Sequence, residues 1–308
     1  MATWGLSATI LAPTADILRF AAHHLERGAH RLYIYLDDEN DTAFNALKSN
    51  PKVRVQTCDA AYWKRRSVSR PVKHQARQTL NATHAYTRKT EVDWLIHTDV
   101  DEFLLSDTPI TETLAALPSD TTSARVRPME LLGGSQTAFK AFLPPGRRRN
   151  EVVKAIYPTF GEHLKGGFLS HVAGKLFVRT GLPDMEIRIH NAFQNGAMLP
   201  DAAELKTIDL AHCHAASWDA WRRAYTYRIA KGSYRADLKP AGQDGLSLHQ
   251  LFRQLEEQRG EAGLRAFYDE VIGDSADLRA RLHAHGALRE VNLDLDATVA
   301  RHFPNAPV

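Results

Sequence analysis

Asp93-Trp94-Leu95-Ile96-His97-Thr98-Asp99-Val100-Asp101-Glu102-Phe103-Leu104-Leu105 carries an apolar run straight into two aspartates one residue apart and then turns apolar again. In an extended chain, residues two apart share a face. A strand continuing through this stretch therefore presents His97, Asp99 and Asp101 on one side and Ile96, Thr98 and Val100 on the other. Two carboxylates at a strand end are hard oxygen ligands, suited to Mg or Mn held jointly with phosphate oxygens. An Asp-x-Asp pair alone is weak. The preceding strand, the directly following Glu102 and the return to Phe103-Leu104-Leu105 separate this pair from a solvated acidic turn.

Upstream of this stretch, strand-like and helix-like runs alternate, which is an α/β pattern. Ala8–Leu11 reads as a strand. Pro13-Thr14 opens a helix whose Ile17, Phe20, Ala21, His24 and Leu25 recur at three- and four-residue spacing, closed by Gly28. Leu32–Leu36 is a second strand, running into Asp37-Asp38-Glu39-Asn40-Asp41. A short helix, Thr42 to Ser49, stops before Pro51, and Val53–Cys58 forms a third strand. Val72, Ala76, Leu80 and Thr83 then mark a long amphipathic helix ahead of a fourth strand at Trp94–Thr98. An open, mostly parallel sheet binds ligands beyond the carboxyl ends of its strands, and both acidic clusters, Asp37-Asp38 and Asp99-x-Asp101, fall there. No Gly-x-Gly-x-x-Gly follows the first strand and no Gly-x-x-x-x-Gly-Lys-Ser/Thr occurs anywhere, which disfavours dinucleotide oxidoreductases and P-loop enzymes.

The 308 residues, 44% hydrophobic and 24% charged, make an ordinary globular chain with ample core. Cys58 and Cys213 lie far apart and suggest no disulfide framework, so a reducing compartment, the cytoplasm, is the expectation. No basic leader and no apolar run of membrane-spanning length is visible. A net charge of +3 gives no argument for nucleic acid. Two local basic clusters, Lys64-Arg65-Arg66 with Arg70 and Lys73, and Arg147-Arg148-Arg149, suit phosphates or peripheral contact with an anionic membrane, with solvated loops as the plainer alternative. Beyond Gly245 the character changes to helices, at Leu248–Arg259, Ala262–Ile272 and Ala276–His285. The expected organisation is a catalytic domain over residues 1–240 and a helical extension over 241–308.

Several of these segments together resemble the GT-A fold glycosyltransferases of the family 2-like and family 92-like kind. The resemblance rests on His23-His24-Leu25-Glu26-Arg27-Gly28 before the second strand, on the acidic Asn-containing loop after it, on Gln75, and on Trp94 through Leu104 with its Asp-Val-Asp-Glu-Phe-Leu string. Gly174-Lys175-Leu176-Phe177-Val178-Arg179, His190, and Ala211-His212-Cys213-His214 followed by Ser217-Trp218 continue it. The likeness spans most of the first 235 residues. One departure is Ala12-Pro13-Thr14, where relatives commonly show Lys-Asn-Glu.

The resemblance implies a Rossmann-like sandwich with a mostly parallel central sheet, Mn or Mg as cofactor, and a nucleotide-sugar donor, a UDP-sugar by preference. Asp101 is then the primary metal ligand, and Asp99 a ribose or outer-sphere partner. One of His212 and His214 completes the metal shell, with His212 preferred; the alternative for both is a structural pair packed against aromatics. Pro13, Asp38, Lys73, Gln75, Asp99 and Lys175 are the positions expected to meet the nucleotide. Inversion at the sugar carbon needs a carboxylate to take the acceptor's proton, and Glu130 and Glu186 are the candidates. The acceptor is a glycan or lipid-linked sugar. Two other classes stay open at this point: a metal-dependent phosphoester hydrolase, and a non-catalytic glycan-binding protein on the same fold.

Overall fold

The computed structural model describes residues 2–88, 90–238, 240 and 245–306. The first half of the chain runs β1 (Trp4–Ile10), α1 (Thr14–Glu26), β2 (Arg31–Leu36), α2 (Asp41–Lys48), β3 (Val53–Thr57), α3 (Ala60–Arg65), α4 (His74–Thr87), β4 (Trp94–His97), β5 (Glu102–Ser106), α5 (Ile110–Ala115) and β6 (Ser123–Leu131). After it come β7 (Ala138–Lys140), α6 (Arg149–Ile156), β8 (Lys175–Arg179), β9 (Met185–Ile187), β10 (Ala192–Gln194), β11 (Ala197–Met198) and β12 (Ala203–His212). The rest is mostly helical: α7 (Trp218–Lys231), α8 (Leu248–Val271), α9 (Ala276–Ala284), β13 (Leu288–Glu290) and α10 (Leu295–His302). This is the α/β architecture with a mostly parallel central sheet and C-terminal helices that the alternating pattern implies.

Two compact, interleaved units share the chain. The first holds residues 1–127, 173–210 and 294–308, the second residues 128–172 and 211–293. Of the helices after Gly245, α8 and α9 thus cluster with residues 128–172 in the second unit while α10 belongs to the first, whereas the expectation from sequence is a single boundary after residue 240. Contacts between segments more than a hundred residues apart leave no mark in local composition.

In the first unit, β1 pairs in parallel with β2 and β4, and β2 with β3. On the other side of β4, β8 runs antiparallel to it and to residues 123–126 of β6. β1, β2 and β4 read as near-continuous apolar runs because both faces of the sheet are covered there; every residue of β1 and of β4 is buried, whereas β3, at the end of the sheet, alternates with Arg54 and Gln56 and buries only Val53. α1 starts at Thr14 behind Pro13 and is followed by Gly28 at φ +86°, a conformation glycine adopts without a Cβ penalty. Its two histidines are fixed by the backbone: His23 Nε2 donates to Leu104 O at 2.8 Å, while His24 donates from Nδ1 to Phe20 O at 2.8 Å and accepts from Leu104 N at 3.4 Å. The helix is thereby tied to the strand that follows the acidic turn. α2 and α3 are N-capped by Asn40 and Asp59, whose side chains accept from Ala43 N and Tyr62 N. α4 begins at His74, two residues later than the stripe through Val72 suggests, and Val72 is 97% exposed.

In the second unit, β7 pairs antiparallel with β13 and with Glu130 and Leu131 of β6. Its helices close on an aromatic core in which Trp221, Phe252 and Phe267 touch edge-on or stacked. A capping box of Ser247 and Gln250 starts α8, and Gly260, at φ +57°, bends it where the sequence separates two helices.

Candidate functional site

β4 ends at His97, so the acidic pair lies beyond the strand. Residues 98–101 form a turn, with Glu102 N donating back to Asp99 O at 3.1 Å. The alternation that puts His97, Asp99 and Asp101 on one strand face therefore does not apply. The turn is a correction with a physical cause: β5 starts immediately at Glu102, and the chain must redirect within four residues. A second bond, Asp99 N to Glu102 Oε2 at 2.8 Å, closes the turn from the side chain.

Both oxygens of Asp99 are engaged. Gln78, reaching from α4, donates to Oδ1. Lys175, the first residue of β8, donates to Oδ2 at 2.7 Å and lies 3.1 Å from Glu102 Oε2. Lys175 and Glu102 are fully buried. Burial opposes charge on Asp99, but the Lys175 ammonium more than offsets it and holds the carboxyl below its ordinary value. Burial also opposes the charge on Lys175, and its two carboxylates reverse the balance and raise its pKa. Asp101 sits half-buried on the same turn. His97, 3% exposed, is pushed down to about 4 by burial and then by the Lys175 charge; neither ring nitrogen has a hydrogen-bond partner among the described residues. Gly174 fixes the entry to β8. At φ +70° a Cβ there would lie 1.9 Å from Val126 O, so only glycine lets Lys175 start at this point.

The other acidic cluster is consumed internally. Asp37, 2% exposed at the end of β2, accepts from Arg77 Nε at 2.8 Å and from Arg70 at 3.2 Å, with His74 Nδ1 at 3.2 Å. Burial acts against its charge, and the His74 and Arg77 contacts overcome this to bring its pKa down to about 2. Its neighbour Asp38 is exposed, its carboxylate accepting from Glu39 N at 2.8 Å. Pro13 and Lys73 are exposed at the starts of α1 and α4.

Gln75 and Glu186 come together. With Thr79, Arg188, His190 and Asn191 they line an open cavity of about 620 Å³ in the first unit. Glu186 pairs with Arg188 at 2.7 Å, the guanidinium lies 3.9 Å from the centre of the Phe193 ring, and His190 Nδ1 donates to Gly174 O at 2.9 Å.

Glu130 belongs to the second unit and is held differently. It is 3% exposed and accepts from Lys140 Nζ at 2.7 Å, from Ser170 N at 2.7 Å, from Leu169 N at 3.2 Å and from the Ser170 hydroxyl. Burial opposes its charge and Lys140 outweighs burial, leaving the carboxyl far below the usual range. A carboxylate so saturated is a poor proton acceptor, an argument against Glu130 as the general base. In the same unit the rings of His171, His212 and His214 stand in series, with centroids 5.3 and 5.0 Å apart. The His214 imidazole is kept well below its ordinary pKa by burial and by the Arg228 charge; Arg228 donates to His214 O at 2.8 Å.

Gln78 is the participant that sequence reasoning missed, and Glu102 it noted only as context of the acidic pair, without a contact of its own. Gln78 lies one turn beyond Gln75 on the same helix, and only the register of α4 against β4 decides which of the two meets Asp99.

No protein-family model and no curated protein matches this chain. Among solved structures it is similar to HddC from Yersinia pseudotuberculosis, at 10% identity and a TM-score of 0.34, over 74% of this chain and 99% of that one. It is also similar to GalNAc-T7, solved with UDP, GalNAc and Mn2+, at 10% identity and a TM-score of 0.41, over 99% of this chain and 58% of that one. Likenesses at this level leave any functional reading to the residues of this chain.

Proposed function

We propose that the chain is a metal-dependent glycosyltransferase of the GT-A kind, moving a sugar from a nucleotide-diphosphate sugar, a UDP-sugar by preference, to a glycan or lipid-linked acceptor with inversion. The observation that carries this reading is the turn Asp99–Glu102 at the carboxyl end of a parallel strand, with Asp99 pinned by Lys175 and Gln78. Asp99 and Glu102 share the Lys175 ammonium on a turn that also carries Asp101. Hard oxygen donors of this kind fit Mn or Mg. Asp101 is the residue assigned to hold the ion, and the sequence resemblance adds His212, with His214 as its alternative. When bound, the ion supplies neutralising charge to the departing diphosphate. Asp99, immobilised through both oxygens, orients the nucleotide rather than following it. Glu186, in the cavity it shares with Gln75, is the carboxylate assigned to take the acceptor hydroxyl's proton.

A thermal-shift series with UDP, GDP and their sugars, with Mn or with chelator, tests the reading. Stabilisation by a nucleotide only in the presence of Mn, lost in Asp101→Ala, supports it. A shift with metal alone and none with any nucleotide moves the function to a phosphoester hydrolase.

A further inference from the structure

Lys64-Arg65-Arg66-Ser67-Val68-Ser69-Arg70-Pro71-Val72-Lys73, at the end of α3 and in the segment leading to α4, has five cations and no acid. Two of the five turn inward. Arg66 donates to the Tyr62 hydroxyl at 2.7 Å and to Leu80 O at 3.2 Å, and Arg70 donates to Asp37 O at 2.9 Å. The other three, Lys64, Arg65 and Lys73, are exposed and make no ion pair among the described residues. Between them Val68 is 37% and Val72 97% exposed. Leu11, 64% exposed, belongs to the same edge: Arg70 grips Asp37, whose N–H donates to Ile10 O at 2.8 Å. Three large apolar side chains thus stand in water beside three uncommitted cations.

We infer that this edge of the first unit docks on an anionic lipid surface. Cations at the headgroup level and branched apolar side chains at the acyl boundary match such a surface in both of its layers. A single-stranded polyanion is a poorer fit, because its bases stack on exposed aromatic rings and this segment has none. Asp38 and Glu39, exposed on the neighbouring loop after β2, oppose the field of the three cations. Docking is accordingly confined to membranes rich in acidic lipid and weakens with salt. Lys73 is also a position that the sequence resemblance assigns to the nucleotide, so the test uses Lys64, Arg65 and Val72 and is made without nucleotide.

The full chain is sedimented with vesicles of phosphatidylcholine alone and with vesicles of equal parts phosphatidylcholine and phosphatidylglycerol, at low and high salt. The expected result is binding to the mixed vesicles only, reduced by salt. The double variant Lys64→Glu/Arg65→Glu lowers the partition coefficient by on the order of tenfold or more. Val72→Asp also lowers it while leaving the melting temperature unchanged, since that side chain is 97% exposed. Failure of the mixed vesicles to sediment the protein overturns the inference. So does sedimentation that both variants leave unaltered, or capture by single-stranded DNA in the absence of vesicle binding.

Discussion

Lys175 places its Nζ 2.7 Å from Oδ2 of Asp99, so the first aspartate of the acidic pair is already half of an ion pair before any ligand arrives. The same ammonium reaches Glu102 at 3.1 Å and thus spans the turn from its first residue to its last. The turn owes its shape to that cation as much as to its own backbone bonds.

Removing the ammonium should therefore destabilise the whole unit. Lys175→Met leaves two carboxylates across one turn, with Glu102 fully buried. Truncating one partner of a buried pair typically costs about 3–5 kcal/mol. Asp99 is 31% exposed and can recover some hydration, so the lower end, about 3 kcal/mol, is the expectation for urea unfolding. An unchanged urea midpoint would mean that the pair holds nothing together.

Glu130 is held by donors of its own unit. Its three hydrogen bonds from Leu169 and Ser170 and its pairing with the buried Lys140 predict that Glu130→Gln lowers unfolding free energy by on the order of 3 kcal/mol. Below the lowered melting point the variant should keep the pH profile of any transfer activity. Loss of activity at unaltered stability would restore Glu130 as the base.

The strands and helices of the first hundred residues are legible because their apolar spacing is local, as in Ile17, Phe20, Ala21 and Leu25 of α1 or the run Leu32–Leu36. That Asp99 and Lys175 are candidates is legible too, as motif. What each one touches is not. Two residues of one helix, Gln75 and Gln78, differ in what they touch by the angle between successive turns, and no local pattern sets that angle against β4. The saturation of Glu130 comes from backbone N–H groups about forty positions away, a non-local fact. Asp37 and Asp38 look equivalent in sequence, and only the arrival of Arg77 and Arg70 from beyond α3 makes the first an anchor and leaves the second in solvent.

Asp37 gives a pH signature. Its folded carboxyl is lowered from 3.8 to about 2: burial works against the charge, and the bonds from His74 and Arg77 prevail. A depressed folded value means stability that is fully present above the unfolded value, near pH 4, and is lost as pH falls through about 2. Wild-type unfolding free energy should drop across that window. In Asp37→Asn the starting stability is lower and the drop across the same window shallower, as urea titrations at stepped pH would reveal. Parallel curves for the two proteins would assign the acid sensitivity to other groups.

Gln78 and Gln75 allow a paired test on one helix. Gln78 donates to Asp99 Oδ1, so Gln78→Ala frees the oxygen opposite Lys175 and lets the carboxylate rotate about its remaining bond. The bond is already made before the nucleotide binds, so its loss reaches UDP affinity as the cost of ordering the freed side chain, about 0.5–1.5 kcal/mol, or about two- to tenfold weaker binding of UDP with Mn by calorimetry. Gln75 lines the cavity that holds Glu186 and makes no hydrogen bond to Asp99. Gln75→Ala should leave UDP affinity within about twofold of wild type and raise KM for the acceptor instead, since only the acceptor is assigned to that cavity. Equal losses of UDP affinity in both variants would dissolve the division of α4 into a donor side and an acceptor side. A loss at Gln75 alone would return the nucleotide contact to the residue that the sequence resemblance singles out.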